Sequence, residues 1–162
     1  MAGKKGVQTP RVYVETSVWG MTLPGQPRAL REPTQQLLNQ CRAGRFVVFV
    51  SEIVLQENDR AESDDARRML REMNRVAPVV LEQGAESEEL AEAYIQAGVV
   101  PPKKRDDARH VAIATVARLD LLVSWNQRHL TNHRKRQLYN AVNQLAGFEH
   151  GPVICTPFEV SP

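Results

Sequence analysis

Short apolar runs alternate along the chain with longer segments whose apolar residues recur at helical spacing. The apolar runs span residues 12–14, 46–50, 79–81, 121–123 and 153–155. The helical segments span residues 33–42, 51–57, 62–75, 87–97, 106–118 and 134–145. Because short uninterrupted apolar runs suit strands buried on both faces, the alternation predicts a single α/β domain with a central parallel sheet flanked by helices.

The boundaries of these segments carry start and stop signals. Ser51 stands where a helix would begin, since its hydroxyl can accept a backbone N–H. Gly44, Gly98 and Gly147 stand where three of the helices would end. The segment boundaries therefore agree with the hydrophobic pattern.

Size and composition fit one ordinary domain, with 162 residues of which 42% are hydrophobic. We expect this domain to span residues 11–160, because residues 1–10 contain no apolar stretch and predict a flexible tail without a secretory signal. The longest apolar run, residues 46–50, is too short to cross a bilayer. Cys41 and Cys155 lack motif spacing, which favours reduced thiols in a cytoplasmic protein.

Charge is unevenly distributed along the chain. Residues 52–92 hold 12 acids and 5 Lys or Arg, whereas residues 103–136 hold 9 Lys or Arg and 3 acids. A basic segment beside acidic residues suits a polyanionic substrate, because Lys and Arg can hold phosphates. The charge distribution alone is also compatible with an ordinary charged surface that binds only solvent.

Several chemistries are disfavoured because their motifs are absent. The chain has no phosphate-binding or dinucleotide glycine loop, no G-x-S-x-G nucleophile elbow and no D-x-D sequence of the kind used in phosphotransfer. His129 and His133 stand four residues apart, which is zinc-like spacing on one helix face, but no third ligand stands nearby. Surface or supporting roles are the favoured interpretation of these histidines.

Acidic and amide side chains follow or border the predicted strands. Glu15 comes directly after the first strand, and Glu57 lies on the helix after the second. Asp107 opens the helix that precedes the fourth strand, and Asn126 follows that strand. Because ligands bind beyond the carboxyl ends of parallel strands, these oxygen-bearing groups predict a site for a hard divalent cation.

Each candidate also has a structural explanation. Acids are common at helix N-termini because they interact favourably with the helix dipole, and Asn is common in turns. Asp106 is a candidate for the capping role that would leave Asp107 free. Thr16 and Ser17 could cap the next turn or hold a water, and Ser124 is a further polar group at the fourth strand. His110 could hydrogen-bond to Asp107 or substrate, or be a structural histidine.

Four segments occur in an order that resembles a known family. Residues 12–18 (VYVETSV) look like an opening strand, and residues 51–57 (SEIVLQE) like a second acidic motif. Residues 107–112 (DARHVA) and 124–130 (SWNQRHL) look like a third and a fourth. Together they resemble PIN domains of the VapC-type toxins in type II toxin–antitoxin systems, and the tail after residue 140 is similar to one subgroup.

The resemblance implies a Mg²⁺- or Mn²⁺-dependent ribonuclease. Its metal-binding and catalytic residues would be Glu15, Glu57, Asp107 and Asn126. The RNA backbone would be held by Lys103, Lys104, Arg105 and Arg128. The resemblance also implies a protein antitoxin and a homodimer, with Val18, Trp19, Met21 and Leu23 as core or contact residues.

The chain departs from the family at two positions. Most members have Asp at the position of Glu15, and many have Asp at the position of Asn126. Both changes alter the ligands available to Mg²⁺, which demands near-ideal geometry. They support an alternative, in which a PIN-like fold binds RNA or protein without cutting.

Overall fold

Five parallel strands form the centre of the protein, and the computed structural model describes residues 6–160. The strands lie in the order β3-β2-β1-β4-β5. Their bounds are β1 Arg11–Val14, β2 Val47–Ser51, β3 Val79–Leu81, β4 Leu121–Val123 and β5 Val153–Cys155. The predicted α/β class and the all-parallel sheet are confirmed, with every predicted strand present.

Helices connect the strands and flank the sheet. Their bounds are α1 Thr16–Gly20, α2 Arg28–Arg42, α3 Glu52–Asp59, α4 Ser63–Val76, α5 Ala85–Gln96, α6 Arg105–Val116, α7 His133–Leu145 and α8 Pro157–Val160. A 3₁₀ turn, Pro102–Lys104, leads into α6, and a π-helical turn, Gln127–Thr131, leads towards α7. The short helices α1 and α8 and the π-helical turn add to the elements that the sequence predicts.

The central strand β1 sets the position of the sheet's functional edge. Val12 pairs with Val48 of β2 on one side and with Leu121 of β4 on the other. Val12, Tyr13 and Val14 have no exposed surface. Because β1, β2 and β4 run parallel, the residues after all three strands emerge at one edge of the sheet.

Helix α2 begins five residues before the predicted start at residue 33. The sequence pattern places Pro33 at the first helical position, where proline is favoured. In the structure the first turn follows Pro27, whose carbonyl accepts the backbone N–H of Arg31. Pro33 lies inside the helix, and its missing N–H costs α2 one internal hydrogen bond.

The predicted tail falls partly outside the described residues, because residues 1–5 are not among them. Residues 6–10 are exposed and form no regular secondary structure. Cys41 and Cys155 are both buried and unpaired with each other. Within residues 6–160, none of the helices combines the length and the apolar character that crossing a membrane requires.

Candidate metal centre

Glu15 is held in a fixed position at the end of β1. Its backbone N–H donates to the carbonyl of Val123 at 3.0 Å, which ties the end of β1 to β4. Its Oε2 accepts hydrogen bonds from the Ser17 backbone N–H at 3.1 Å, the Ser17 hydroxyl at 2.5 Å and the Ser124 hydroxyl at 2.7 Å. Glu15 is therefore the N-cap of α1, whereas the sequence offers Thr16 and Ser17 for this role.

The two serines that hold Glu15 are themselves fixed by the backbone after β4. Ser17 Oγ accepts the N–H of Trp125 at 2.8 Å, and Ser124 Oγ accepts the N–H of Asn126 at 2.9 Å. Both predicted secondary residues thus lie at the site, where they orient one oxygen of Glu15. The other oxygen, Oε1, accepts no hydrogen bond from the described residues and lies 3.9 Å from His110 Nε2.

Glu57 approaches Glu15 from α3. This helix begins after Ser51, whose Oγ accepts the N–H of Ile53 at 3.2 Å, so the predicted cap is confirmed. Glu57 Oε1 accepts the Thr16 hydroxyl at 2.9 Å and lies 2.5 Å from His110 Nε2. Thr16 thus connects the α1 segment to the second carboxylate.

Glu15, Glu57 and His110 could hold a metal ion. One potential ligand atom from each lies within 4.8 Å of the other two. Glu15 is only 4% exposed, and its Oε1 is a carboxylate oxygen that the described residues leave without a donor. Carboxylate oxygens in such a position are suitable ligands for a divalent cation, which would offset the charge that burial disfavours.

Asp107 adjoins this cluster from the first turn of α6. Burial, with the nearby charges of Glu15 and Glu57, raises the pKa of Asp107 to about 6, although His110 and a side-chain hydrogen bond with Asn126 act in the opposite direction. The shift indicates that Asp107 shares one electrostatic environment with the two glutamates. The structure therefore brings the three predicted carboxylates to the same edge of the sheet.

Asn126 is oriented by the turn that follows β4. Its Oδ1 accepts the backbone N–H of His129 at 3.1 Å and so begins the π-helical turn. Its amide group also lies near Asp107, where it acts to lower the pKa of that carboxyl. In this arrangement Asn126 supports Asp107 as a donor, while its oxygen caps the turn.

Hydrogen bonds and nearby charges shift the pKa values of Glu57 and His110, which contact each other at the site. Burial tends to raise the pKa of Glu57, but hydrogen bonds from His110 and Thr16 outweigh it and lower the pKa overall. Burial tends to lower the pKa of His110, but the hydrogen bond with Glu57 and the charge of Glu15 raise it above the ordinary value. Glu57 is therefore a carboxylate, the form that binds cations, at neutral pH.

The capping role expected of Asp106 is wrong, and of the alternatives for His110 the structure shows a buried histidine and not a partner of Asp107. Asp106 does not cap α6; its carboxylate pairs with Arg60 at 3.2 Å and with Arg109 at 3.1 Å. His110 hydrogen-bonds to Glu57 and to Tyr13 instead of Asp107. The first difference arises because two guanidinium groups compete for Asp106, and the second because the ring of His110 points into the core.

Basic residues border an open cavity of about 260 Å³ beside the carboxylates. The cavity is lined by Glu57, Arg60, Lys103, Lys104, Arg105, Asp106 and Asp107. Lys103 and Lys104 are exposed and form no ion pair within residues 6–160, as is also the case for Arg128 on the π-helical turn. Arg105 is engaged by Glu92 at 2.5 Å and by Glu88 at 3.8 Å.

His129 and His133 do not share one helix face. His129 lies on the π-helical turn and His133 begins α7, with Asn132 between the two elements. Charged neighbours of His129 include Arg128, Lys104, Lys135 and Lys103, which together with burial lower its pKa. The histidine pair therefore belongs to the basic surface.

Tyr13 contacts the site, although the sequence pattern assigns it no role beyond the first strand. Tyr13 has no exposed surface, and its hydroxyl lies between Ser51 and His110. A tyrosine in a strand buried on both faces needs a buried partner for its hydroxyl. That requirement is the signal by which Tyr13 could have been found.

Comparisons with protein-family models and with curated protein sequences find no match for this chain. The case for a functional site therefore depends on the geometry of the chain's own residues.

Proposed function

We propose that the protein is a metal-dependent ribonuclease that hydrolyses RNA phosphodiester bonds with Mg²⁺ or Mn²⁺. The observation that carries the proposal is the meeting of Glu15 and Glu57 at the carboxyl edge of the central strands. Asp107 and an open basic cavity adjoin them. Carboxylates beside free basic residues suit a reaction in which a metal and a phosphate must be bound together.

Each glutamate would bind the cation through the carboxylate oxygen that is not hydrogen-bonded within the protein. Glu15 offers Oε1, because Oε2 is occupied by two serines. Glu57 offers Oε2, because Oε1 is occupied by Thr16 and His110. Asp107 faces the same cavity with Asn126 as its support. The cation would stabilise the charge on the phosphate and lower the pKa of the attacking water.

The RNA backbone would lie along the exposed cations of the cavity rim. Lys103 and Lys104 are free of internal ion pairs among the described residues, so their charges are available to phosphates. Arg128 extends this basic surface on the π-helical turn. Arg105, bound to two glutamates, would contribute mainly by fixing the start of α6.

The resemblance to VapC-type PIN domains extends the proposal to a biological role. The protein would be the toxin of a toxin–antitoxin pair, acting in the cytoplasm as a homodimer that a protein antitoxin inhibits. The order of the four motifs supports this role, since the fold brings three of their acids to one edge.

A PIN-like module that binds RNA or protein without cutting is the second candidate. It is favoured by Asn126, whose oxygen accepts the N–H of His129 and whose neutral amide brings no charge to a cation. Such a module would bind RNA through the basic rim equally well with and without a divalent cation.

Cleavage of labelled single-stranded RNA separates the two candidates. Wild type would be incubated with Mg²⁺, Mn²⁺ or EDTA, beside Asp107→Asn and Glu57→Gln. The matched control is Asp64→Asn, since Asp64 also stands in the first turn of a helix but is exposed and lies on α4. We expect cleavage that needs metal, persists in the control and falls at least about 100-fold in both site variants.

Wild-type cleavage rates in Asp107→Asn would contradict its place in the site. RNA binding without cleavage in any metal would favour the non-cutting module.

A further inference from the structure

A chain of hydrogen-bonded side chains connects the core of the protein to Glu57. Ser51 Oγ lies 2.7 Å from the Tyr13 hydroxyl, which lies 2.6 Å from His110 Nδ1. His110 Nε2 lies 2.5 Å from Glu57 Oε1. Ser51, Tyr13 and His110 have no exposed surface, so each of their hydrogens needs a partner within the protein.

Ser51 determines the direction of this chain. Its oxygen accepts the N–H of Ile53 at 3.2 Å. Among the described residues, the one remaining partner for its hydroxyl hydrogen is the oxygen of Tyr13. Ser51 therefore donates to Tyr13, because the alternative leaves a buried hydroxyl hydrogen unsatisfied.

The hydrogen bond between Tyr13 and His110 has the same direction, with Tyr13 as the donor. Burial raises the pKa of Tyr13 well above its ordinary value, so the phenol keeps its hydrogen. Since its oxygen accepts from Ser51, its hydrogen is directed to Nδ1 of His110. A ring nitrogen that accepts carries no hydrogen, so when Nδ1 accepts from Tyr13 the imidazole is neutral and its single N–H lies on Nε2, directed at Glu57.

We propose that Tyr13 is a positioning residue, which holds the His110 hydrogen on Nε2 so that His110 orients Glu57 and is not itself a nitrogen ligand. Glu57 is then fixed through Oε1, and its Oε2 faces the cation. This inference rests on the proposed metal-dependent function. It leaves the centre with oxygen ligands alone, which favour Mg²⁺ and Mn²⁺ over Zn²⁺.

Removing the Tyr13 hydroxyl tests this role. In Tyr13→Phe, Nδ1 loses its donor and Ser51 loses its acceptor, so the hydrogen is no longer confined to Nε2. Loss of groups that support metal ligands commonly weakens metal affinity 10- to 100-fold. We expect about tenfold weaker Mn²⁺ binding, with a lower kcat and an unchanged KM for RNA.

Tyr94→Phe is the matched control. Tyr94 also has no exposed surface, and its hydroxyl bonds to Asn143 and lies 3.5 Å from that of Thr115, away from the carboxylates. The control loses the same buried hydroxyl and should be destabilised, yet its Mn²⁺ affinity should equal that of wild type.

Nitrogen-15 NMR of labelled histidine, at pH 8.5 without metal, shows which ring nitrogen of His110 carries the hydrogen. The expected result is a hydrogen on Nε2 alone in wild type and in Tyr94→Phe, and loss of this signature in Tyr13→Phe. A hydrogen on Nδ1 in wild type, alone or together with Nε2, overturns the proposal. This spectrum decides the direction even if Tyr13→Phe does not fold.

Metal binding separates the remaining outcomes. Unchanged Mn²⁺ affinity in a folded Tyr13→Phe overturns the positioning role. A wild-type protein that binds no divalent cation overturns the proposed function, and the role of Tyr13 with it. The NMR spectrum identifies that case. A hydrogen on Nε2 alone, in a protein that binds no cation, would show that the hydrogen-bond direction is right and the proposed metal centre is wrong.

Discussion

Asn126 uses the two ends of its amide for different tasks. The oxygen accepts the N–H of His129, and the amide group acts to lower the pKa of Asp107. An aspartate at this position would keep the acceptor for His129. It would also place a second negative charge beside Asp107, which the neighbouring glutamates already crowd. The residue at position 126 therefore sets the negative charge around Asp107, and with it how strongly a bound cation stabilises the protein.

The variant Asn126→Asp should be less stable than wild type without metal, by about 1 kcal/mol, because a donor beside Asp107 is replaced by a second negative charge. Added Mg²⁺ should raise its melting temperature more than that of wild type, because a cation offsets the new charge. Thermal unfolding with Mg²⁺ or EDTA measures both effects. The control Asn39→Asp, at an exposed position on α2, should show no Mg²⁺ response, and an equal response in both variants would contradict this expectation.

At the residue scale, the sequence predicts which acids lie at this edge of the sheet but not which side chains they contact. Glu15, Glu57 and Asp107 are recognisable because each follows or precedes an apolar run. The partner of His110 is not, since Glu57 lies 53 residues away along the chain. Their contact depends on how α3 and α6 pack at the ends of β1 and β2, which spacing along the chain does not specify.

Helix α4 ends in a conformation that its sequence does not favour. Ala77, the residue directly after α4, has φ of 53°, in the left-handed region, whereas glycine occupies such positions at Gly44, Gly98 and Gly147. A side chain in this region costs stability that glycine avoids. At Ala77 the helix end therefore requires a backbone conformation that is unfavourable for the alanine in the sequence.

Ala77→Gly should stabilise the protein by about 0.5–1 kcal/mol, since relief of the backbone conformation exceeds the entropy that glycine adds to the unfolded chain. The matched control is Ala97→Gly, because Ala97 ends α5 with φ of −78° and gains nothing from glycine. Urea unfolding of both variants measures the difference. A loss of stability in Ala77→Gly equal to that in Ala97→Gly would show that the strain is absent.

Whether a helix can be predicted from the sequence depends on its length. The five strands are predictable because their apolar runs are uninterrupted. Helices α1 and α8 have five and four residues, too few to show a helical repeat. The start of α2 is also hidden, because Pro33 carries the local signal of a first turn.

The whole molecule separates its charges along the sequence. The acidic segment of residues 52–92 contrasts with the basic segment of residues 103–136. The cavity beside the carboxylates draws on both, with Arg60 and Glu57 from one and Lys103 and Lys104 from the other. Composition predicts the basic segment, but only the fold shows that it borders the acids.

Replacing both Lys103 and Lys104 with Ala should weaken binding of single-stranded RNA at every sequence tested. With EDTA present to prevent cleavage, the slope of log affinity against log salt should fall by about 1.4, as expected for two lost phosphate contacts. The control replaces Arg67 and Arg68, which lie on α4 in the acidic segment. An unchanged slope in the lysine variant would contradict the proposed path of the RNA.

The central claim is that Glu15 and Glu57 form part of a divalent metal centre. Titration of Mn²⁺ into metal-free protein, followed by the loss of the free-ion EPR signal, tests it without RNA. The account predicts one or two bound ions in wild type, at least about tenfold weaker binding in Glu57→Gln, and wild-type binding in a control that replaces the exposed Glu86 with Gln. Absence of binding in wild type, or equal binding in Glu57→Gln, would contradict it.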